Sequence, residues 1–160
     1  MINIRIICVG KLKERFYIDA AAEYTKRLGG YCKLDVVEIP EYRLFGDPSD
    51  SQVAQALEKE CVAITEKLSP GTMSVALCIE GVQMCSRELS GMISDCAGRG
   101  MSRLVFIVGG SFGLHDDVKK GADVKLSLSK MTFPHNLARI MLLEQLYRAF
   151  KISEGGKYHK

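Results

Sequence analysis

The feature that most constrains the fold is a set of short, uninterrupted apolar runs that alternate with segments of helical periodicity. The clearest runs are MSVALCIEG (73–81) and SRLVFIVGG (102–110), each of strand length and each ending in glycine. Because an unbroken apolar run presents no polar face to water, such a strand is covered on both faces, as in a parallel sheet. The sequence therefore predicts an α/β fold, with a mostly parallel sheet and helices on both faces.

Weaker signals complete the predicted order of elements. NIRIICVG (3–10) and KLDVVEIP (33–40) predict strands, and VKLSLS (124–129) predicts the last one. Helical spacing predicts a first helix with an apolar face formed by Phe16, Ala20, Tyr24 and Leu28. A second helix is expected after a surface loop, capped by Asp50 or Ser51, with one stripe formed by Val53, Leu57, Cys61, Ile64 and Leu68. No linker or repeat interrupts the chain, so we expect one domain over residues 1–160.

The last predicted helix, from about Pro134 to Lys151, has an unusually wide apolar stripe. Glu144 and Arg148 can pair on the remaining polar strip, and the stripe itself contains Leu137, Ile140, Met141, Leu142, Leu143, Leu146, Tyr147 and Phe150. Such a helix is either buried on most sides or packs against a second copy of itself. Because a domain of 160 residues has little interior to surround a helix, we favour the second arrangement and predict a homodimer.

Composition and charge exclude several classes of protein. The net charge of +3 permits an anionic partner without requiring one. The six cysteines form no CxxC pair and no CxxH spacing, so we expect no metal site and reduced thiols. No apolar run approaches the ~18 residues of a membrane span, and no basic-then-apolar leader opens the sequence. We therefore expect a cytoplasmic protein with no membrane association.

Two segments contain residues suited to ligand binding. FIVGGSFGLH (106–115) follows the strongest strand, and its glycines allow a tight turn with bare backbone at the strand end, where open parallel sheets bind ligands. It lacks the full GxGxxG spacing, and a plain turn is the alternative. SLSKMTFPH (127–135) leads into the last helix, and its amides can meet an anion. The alternative is an ordinary connection, followed by a structural His135.

Charged side chains near these segments also have ordinary interpretations. Asp116 and Asp117 are expected to cap a short helix after the glycine segment. Lys11, Lys13 and Arg15 follow the first strand and form either a solvated face or a rim that meets phosphates.

Five segments in combination carry a resemblance that spans the chain. They are GKLKE (10–14), FIVGGSFGLH (106–115), LSLSKMTFPH (126–135), EQLYRAFKI (144–152) and the terminal YHK (158–160). Together they resemble the ribosomal RNA large subunit methyltransferase H family, a SPOUT-class group that methylates N3 of a pseudouridine in large-subunit (23S) ribosomal RNA. Each segment alone is a weak signal, whereas the combination is specific.

The resemblance implies a fold that periodicity alone does not predict. In this class the C-terminal strands and the last helix thread through a loop and form a deep trefoil knot, here over residues of about 73–160. The loops of the knot bind S-adenosylmethionine in a bent shape, and the proteins are homodimers packed through the final helix. The wide apolar stripe of the last helix agrees with that arrangement.

The resemblance also assigns cofactor-binding positions. They fall at Leu77, at Gly109 and in the run Leu128, Ser129, Lys130, Met131, Thr132 and Phe133. In the family, backbone groups of such segments bind the adenine and the methionine moiety. Two positions depart from the family pattern, because Cys78 replaces a frequent acidic residue and Gly81-Val82 replaces a Gly-Lys turn. Glu80 is the nearby residue that can supply the missing charge.

The C-terminal segment carries the catalytic side chains that the resemblance implies. The acceptor N3–H is an imide and must lose its proton, so a titrating group or a nearby cation assists the transfer. His159 is the titrating candidate, Tyr158 can hydrogen-bond to the base or stack on it, and Arg148 can hold a phosphate or the anionic base. Two glycines before this segment let the tail of one subunit reach the cofactor of its partner. A tag-like terminus is the alternative.

Three other functions remain open from the sequence. A related SPOUT reaction, 2′-O-ribose methylation, needs a different acceptor pocket. A non-catalytic ribosome-binding or assembly factor has no reason to retain an intact adenosylmethionine loop. A Rossmann-type oxidoreductase is disfavoured, because GxGxxG and the acidic residue ~20 positions later are both missing. Because the charge is mild and no RNA-binding domain is added, we expect the enzyme to act on the assembled ribosome, with naked RNA a poor substrate.

Overall fold

The computed structural model describes residues 1–155, in which strands alternate with helices. In chain order the elements are β1 (Ile2–Val9), α1 (Arg15–Leu28), β2 (Cys32–Ile39), α2 (Asp50–Thr65), β3 (Met73–Gln83), α3 (Ser86–Gly98), β4 (Arg103–Val108), α4 (Asp116–Gly121), β5 (Val124–Ser127) and α5 (His135–Ser153). Every predicted strand is present. β5 stops at Ser127, so the last two residues of VKLSLS belong to the loop that follows.

The strands form a five-stranded sheet in the order β2-β1-β4-β3-β5, and each pairing is parallel. β1 pairs with β2 on one side and with β4 on the other. Its Ile4 lies opposite Leu34 of β2 and opposite Leu104 of β4. Because all strands run in the same direction, their carboxyl ends lie along one edge of the sheet. The loops after the strands meet at that edge, where open α/β sheets bind ligands.

Two apolar layers cover the sheet, one on each face. Ile6 and Phe106 belong to the core beneath α1, α3 and α5, whereas Ile7 and Ile107 belong to the core beneath α2 and α4. All four side chains are fully buried. Burial on both faces is the physical reason that these strands are unbroken apolar runs, and it confirms the predicted α/β class with helices on both faces.

α5 packs one side of its wide apolar stripe on the sheet. Leu142, Leu143 and Leu146 are fully buried, while Leu137 and Met141 remain partly exposed on the other side. The helix begins after Pro134 and ends at Ser153, close to the predicted bounds. Within residues 1–155, no helix is both long and apolar enough to cross a membrane.

The start of α2 differs from the prediction. Ser49 is the N-cap, rather than Asp50 or Ser51, because it forms a reciprocal pair of hydrogen bonds with Gln52. The Ser49 Oγ accepts from the Gln52 amide at 3.3 Å, and the Gln52 side chain accepts from the Ser49 amide at 2.9 Å. This capping box satisfies two backbone amides, whereas the Ser49 side chain alone would satisfy one and leave the other to water.

The buried face of α2 was predicted only in part: Ile64 is buried and Cys61 packs against the same core as expected, but Ala56 and Glu60 were missed. Ala56, Glu60 and Ile64 are its buried residues, whereas Leu68 lies beyond the end of the helix. The reason is the preceding loop, whose Tyr42 amide donates to the Glu60 carboxylate at 3.2 Å and keeps that side of the helix covered. Burial raises the pKa of the Glu60 carboxyl above its ordinary value.

Two further local predictions are wrong. Phe16 is 65% exposed and packs against the neighbouring Tyr17 ring, with centroids 4.3 Å apart, rather than on the core. The short helix α4 is capped by His115, whose Nδ1 accepts from the Asp117 amide at 3.1 Å. Asp116 and Asp117 instead occupy the first turn, where negative charge complements the helix dipole.

Candidate cofactor site

A cavity of about 810 Å³ lies at the carboxyl ends of β3, β4 and β5. Three chain segments form most of its wall: residues 77–80 at the end of β3, residues 108–114 after β4, and residues 126–135 around the loop after β5. Lys119 of α4 and Ala138 of α5 complete the lining. Its volume lies in the range of roughly 300–1,000 Å³ typical of small-molecule sites.

The glycine loop after β4 forms a tight backbone wall. A Cβ on Gly109 would lie 2.5 Å from the carbonyl oxygen of Gly113, and a Cβ on Gly110 would lie 2.9 Å from Val9 Cγ1. Gly113 has a φ of +79°, a left-handed conformation that favours glycine. The first two positions therefore fit only glycine, because neighbouring protein atoms already occupy the place of each Cβ.

Ser111 connects this loop to the end of β2. Its hydroxyl donates to Glu41 Oε1 at 2.8 Å, and Glu41 also lies beside the Gly10 turn that follows β1. Glu41 does not line the cavity, so this hydrogen bond fixes the glycine loop without occupying the cavity itself.

The end of β3 turns sharply at the cavity. Leu77 and Val82 both pair with Leu126 of β5, so the four residues between them leave the regular ladder. Gly81 lies against the β5 backbone: a Cβ there would be 2.7 Å from the carbonyl carbons of Lys125 and Leu126. This close approach explains why a glycine is needed at the turn.

Glu80, in that turn, forms an ion pair with Lys119 across the cavity wall. The Lys119 Nζ donates to Glu80 Oε1 at 2.6 Å and lies 3.4 Å from Asp116 Oδ1. The hydrogen bond from Lys119 holds the pKa of Glu80 below its ordinary value, and the same bond raises the pKa of Lys119. Both groups are therefore charged at neutral pH.

The loop after β5 is shaped by its own serines. Ser127 donates to the Ser129 carbonyl at 2.9 Å, and the Ser129 Oγ accepts from the Met131 amide at 3.0 Å. These bonds fold residues 127–131 into a compact turn at the cavity. Leu128, Thr132 and Phe133 line the same space.

Seven of the eight positions expected to bind the cofactor line this cavity. They are Leu77, Gly109, Leu128, Ser129, Met131, Thr132 and Phe133. Lys130 is the exception, since it is exposed and absent from the cavity wall. Segments more than fifty residues apart in sequence thus meet at one place.

Of the expected catalytic residues, Arg148 is the one in the described part of the chain, and it does not line this cavity. Arg148 of α5 pairs with Glu144, with its Nη2 2.7 Å and its Nε 3.0 Å from Glu144 Oε1. It follows Ala138, the nearest cavity-lining residue of α5, by ten residues, or about 15 Å along the helix axis. Tyr158 and His159 lie outside the described residues.

A family comparison agrees with this architecture. The family model described as "Predicted SPOUT methyltransferase" matches residues 2–159, nearly the whole chain.

The chain belongs to the SPOUT methyltransferase family.

Individual relatives of this SPOUT methyltransferase match most or all of the chain. It is 48% identical over 158 residues to "Ribosomal RNA large subunit methyltransferase H" of Bifidobacterium animalis subsp. lactis, with 99% of each chain covered. Among solved structures, a probable methylase family protein from Haemophilus influenzae superposes with a TM-score of 0.58 at 14% identity, covering 99% of this chain and 70% of that one. A probable methyltransferase from Bordetella pertussis gives a TM-score of 0.57 at 17% identity, covering 92% and 94%. These structures support the fold.

The cavity of this SPOUT methyltransferase has the properties that an adenosyl cofactor requires. It is large enough for one nucleoside with an amino-acid tail, and its apolar wall includes Leu114 and Leu126. Gly109 has to be glycine because a Cβ there would lie 2.5 Å from the Gly113 carbonyl oxygen, so the loop at the cavity wall is closed tightly on itself. Within residues 1–155, no group of three or more His, Cys, Asp or Glu side chains is placed to hold a metal ion.

Sequence reasoning missed two polar pairs. Lys119 was not expected at the cavity, although Glu80 stood out as a carboxylate at the end of an apolar run. Arg139 and Glu38 form the second pair, at 2.8 Å between Nη1 and Oε1, and are 101 residues apart. The available signal was a glutamate near the end of a predicted strand, Glu80 in one pair and Glu38 in the other. The sequence does not identify the basic partner of either.

Proposed function

We propose that this SPOUT methyltransferase uses S-adenosylmethionine to methylate N3 of a pseudouridine in 23S ribosomal RNA, acting on the assembled ribosome in the cytoplasm. The observation that carries the proposal is the convergence of residues 77–80, 108–114 and 126–135 on one cavity with a glycine wall. The 48% identity over the whole length of a ribosomal RNA methyltransferase supports the RNA substrate. The chain acts as one domain over residues 1–160.

The backbone of the cavity wall holds the cofactor. Gly109 and the run from Leu128 to Phe133 supply amide and carbonyl groups, and Leu77 supplies an apolar contact. The chemistry that adenosylmethionine brings when bound is an activated sulfonium methyl group, so the protein mainly has to align donor and acceptor. A rigid wall, fixed by Ser111 to Glu41 and by Ser129 to the Met131 amide, suits that task.

The acceptor nitrogen needs help to lose its proton. His159 is the titratable group proposed to receive it, and Tyr158 binds or stacks on the base. Arg148 holds the developing anion or a neighbouring phosphate. Its pairing with Glu144 fixes the side chain in one direction along α5.

Arg148 lies about 15 Å along α5 from Ala138 in the cavity wall of its own chain, which favours a site completed by a second subunit. The partly exposed Leu137 and Met141 give α5 an apolar surface on which a second copy can pack. We propose a homodimer through α5, in which the tail of one subunit covers the cofactor of its partner. We also propose that residues of about 73–160 form the deep trefoil knot of the class.

Methyl transfer with radioactive cofactor tests this function. Tritiated S-adenosylmethionine is incubated with the enzyme and ribosomes from cells that lack the gene, and the labelled nucleotide is mapped. Label on N3 of a 23S pseudouridine is the expected result. Label on a ribose 2′-oxygen would establish the related SPOUT reaction instead, and cofactor binding without any label would favour a ribosome-binding factor.

The same assay tests the need for an assembled ribosome. Naked 23S RNA, isolated subunits and whole ribosomes are compared at equal RNA concentration. We expect naked RNA to be the poorest substrate, because the net charge of +3 provides little non-specific attraction to phosphate. Equal rates on all three substrates would contradict this part of the proposal.

A further inference from the structure

The cofactor cavity contains one carboxylate and one ammonium group among the residues that line it in the described part of the chain. They are Glu80 and Lys119; the other lining residues are apolar, glycine, hydroxyl-bearing or His135. The Lys119 side chain is mostly covered, whereas the Glu80 carboxylate remains half-exposed at the cavity. The proposed contacts to the cofactor use backbone groups, so they do not explain why Glu80 and Lys119 lie in the cavity wall.

The fold holds Glu80 in place from behind. The break in the ladder between Leu77 and Val82 carries Glu80 out of the sheet, and Gly81 anchors the turn against the backbone of β5. Glu80 is therefore attached to a fixed point of the sheet, rather than to a long surface loop. A side chain placed in this way can recognise one part of a ligand.

Lys119 fixes the direction of the Glu80 carboxylate. Its side chain is 21% exposed, against 53% for Glu80, and it bonds Oε1 at 2.6 Å while Asp116 lies 3.4 Å away. A carboxylate has about four acceptor positions on its two oxygens, so this contact leaves capacity for further donors. Lys119 thus acts as a positioning residue, and Glu80 as the group open to a ligand.

An adenosyl compound offers two kinds of donor to such a carboxylate: the ribose hydroxyls and, with a methionine tail, an α-ammonium group. Lys119 distinguishes between them. A second ammonium beside Glu80 would lie within a few ångströms of the Lys119 Nζ, which offsets part of the attraction that Glu80 and Asp116 exert on a cation. Neutral hydroxyls meet no such repulsion, and carboxylates at the ends of parallel strands bind ribose hydroxyls in other nucleotide folds.

We propose that Glu80 binds one ribose hydroxyl of the cofactor and that Lys119 positions it; this inference rests on the proposed function. It gives the site a preference for ribose over the deoxyribose that lacks this hydroxyl.

Calorimetric binding of nucleoside probes tests the proposal without any methyl transfer. The probes are 5′-methylthioadenosine, which has no amino-acid tail, its 2′-deoxy and 3′-deoxy analogues, and S-adenosylhomocysteine. Glu80→Ala should weaken 5′-methylthioadenosine roughly tenfold or more, as expected for a lost hydrogen bond to a charged group. It should leave unchanged the affinity for whichever deoxy analogue lacks the contacted hydroxyl. Glu58→Ala and Lys120→Met, at exposed positions outside the cavity, are the matched controls and should change neither.

Lys119→Met adds a test of positioning. It should reduce the preference for ribose over deoxyribose, and combining it with Glu80→Ala should bring no further loss, because both changes act through one contact.

Three outcomes would overturn the inference. Equal weakening of ribose and both deoxy probes by Glu80→Ala would show that Glu80 only supports the wall. Weakening of S-adenosylhomocysteine alone would assign Glu80 to the ammonium group. If the wild-type protein bound none of the adenosyl probes, the proposed function itself would fall, and the inference with it.

Discussion

Arg139 of α5 donates from Nη1 to Glu38 Oε1 of β2 at 2.8 Å, joining the last helix to an edge strand of the sheet. The Arg139 side chain is 10% exposed and that of Glu38 is 30% exposed. The Nε of Arg139 is buried without a hydrogen-bond partner among the described residues. The guanidinium therefore depends on Glu38 for compensation of its charge.

Removing Glu38 should cost more stability than removing Arg139. Glu38→Gln leaves a buried guanidinium without its counter-ion, and we expect a loss of about 3 kcal/mol in the free energy of unfolding. Arg139→Met keeps an apolar side chain in the core, and the remaining Glu38 can reach water. The free energy of unfolding of this variant should therefore fall by less. Urea unfolding measures both. Arg15→Met, in the exposed pair with Asp19, is the control and should change stability by less than about 1 kcal/mol. A larger loss for Arg139→Met than for Glu38→Gln would contradict this account.

Two glycines should respond to alanine in opposite directions. Gly81→Ala places a Cβ 2.7 Å from the backbone of β5, which cannot yield as a side chain does, and we expect a loss of about 1–3 kcal/mol. Gly91→Ala, at an exposed position in α3 with nothing within 4 Å of the new Cβ, should stabilise by about 0.5–1 kcal/mol. Denaturant midpoints report the two signs. Tolerance of Gly81→Ala would mean that β3 and β5 do not approach as described.

Stability should fall at alkaline pH partly through Cys8. Burial raises the pKa of this thiol from 9.0 to about 11, with the Arg139 charge opposing the shift. Between these two values the unfolded chain releases a proton that the folded chain keeps, so stability decreases as pH rises, by on the order of 2 kcal/mol in all. Cys8→Ala lacks this contribution. Its stability deficit against wild type should therefore shrink across the same interval, and a constant deficit would argue against the raised pKa.

Mixing two inactive variants tests the proposal that the site forms between subunits. Gly109→Ala puts a Cβ 2.5 Å from the Gly113 carbonyl oxygen and should abolish cofactor binding, while His159→Ala should remove turnover and preserve cofactor affinity. In a heterodimer, the tail of the first variant can serve the intact cavity of the second. We expect co-expressed variants to recover about a quarter of the wild-type rate, because half of the dimers then have one complete site. A site formed within one chain would give no recovery.

The sequence was sufficient where a signal is local. The period of 3.6 located α5 within two residues at each end, and the unbroken run ending at Val108 identified β4 and the glycine turn after it. Both follow from how one segment meets the core, which its own residues encode. The resemblance then directed attention to Leu77 and to residues 128–133, which share one cavity wall.

Relationships between distant segments could not be predicted in this way. The Glu80–Lys119 pair depends on a slip in the pairing of β3 with β5, and the Arg139–Glu38 pair depends on the order of strands in the sheet. Neither leaves a periodic trace in the sequence. The face of α2 was misjudged for the same reason, because the amide of Tyr42 in a separate loop makes the buried position of Glu60 acceptable.

The strand order also determines when the protein can be completed during its synthesis. β1 pairs with β4, whose residues leave the ribosome about a hundred positions later, as in the pairing of Asn3 with Arg103. Until then, of the pairings of β1, a nascent chain has only the one with β2, and the other edge of β1 presents unpaired backbone N–H and C=O groups that are open to association. Such distant pairing slows folding and prolongs the exposure of aggregation-prone surface. The centre of the sheet therefore cannot form until about two thirds of the chain has been synthesised.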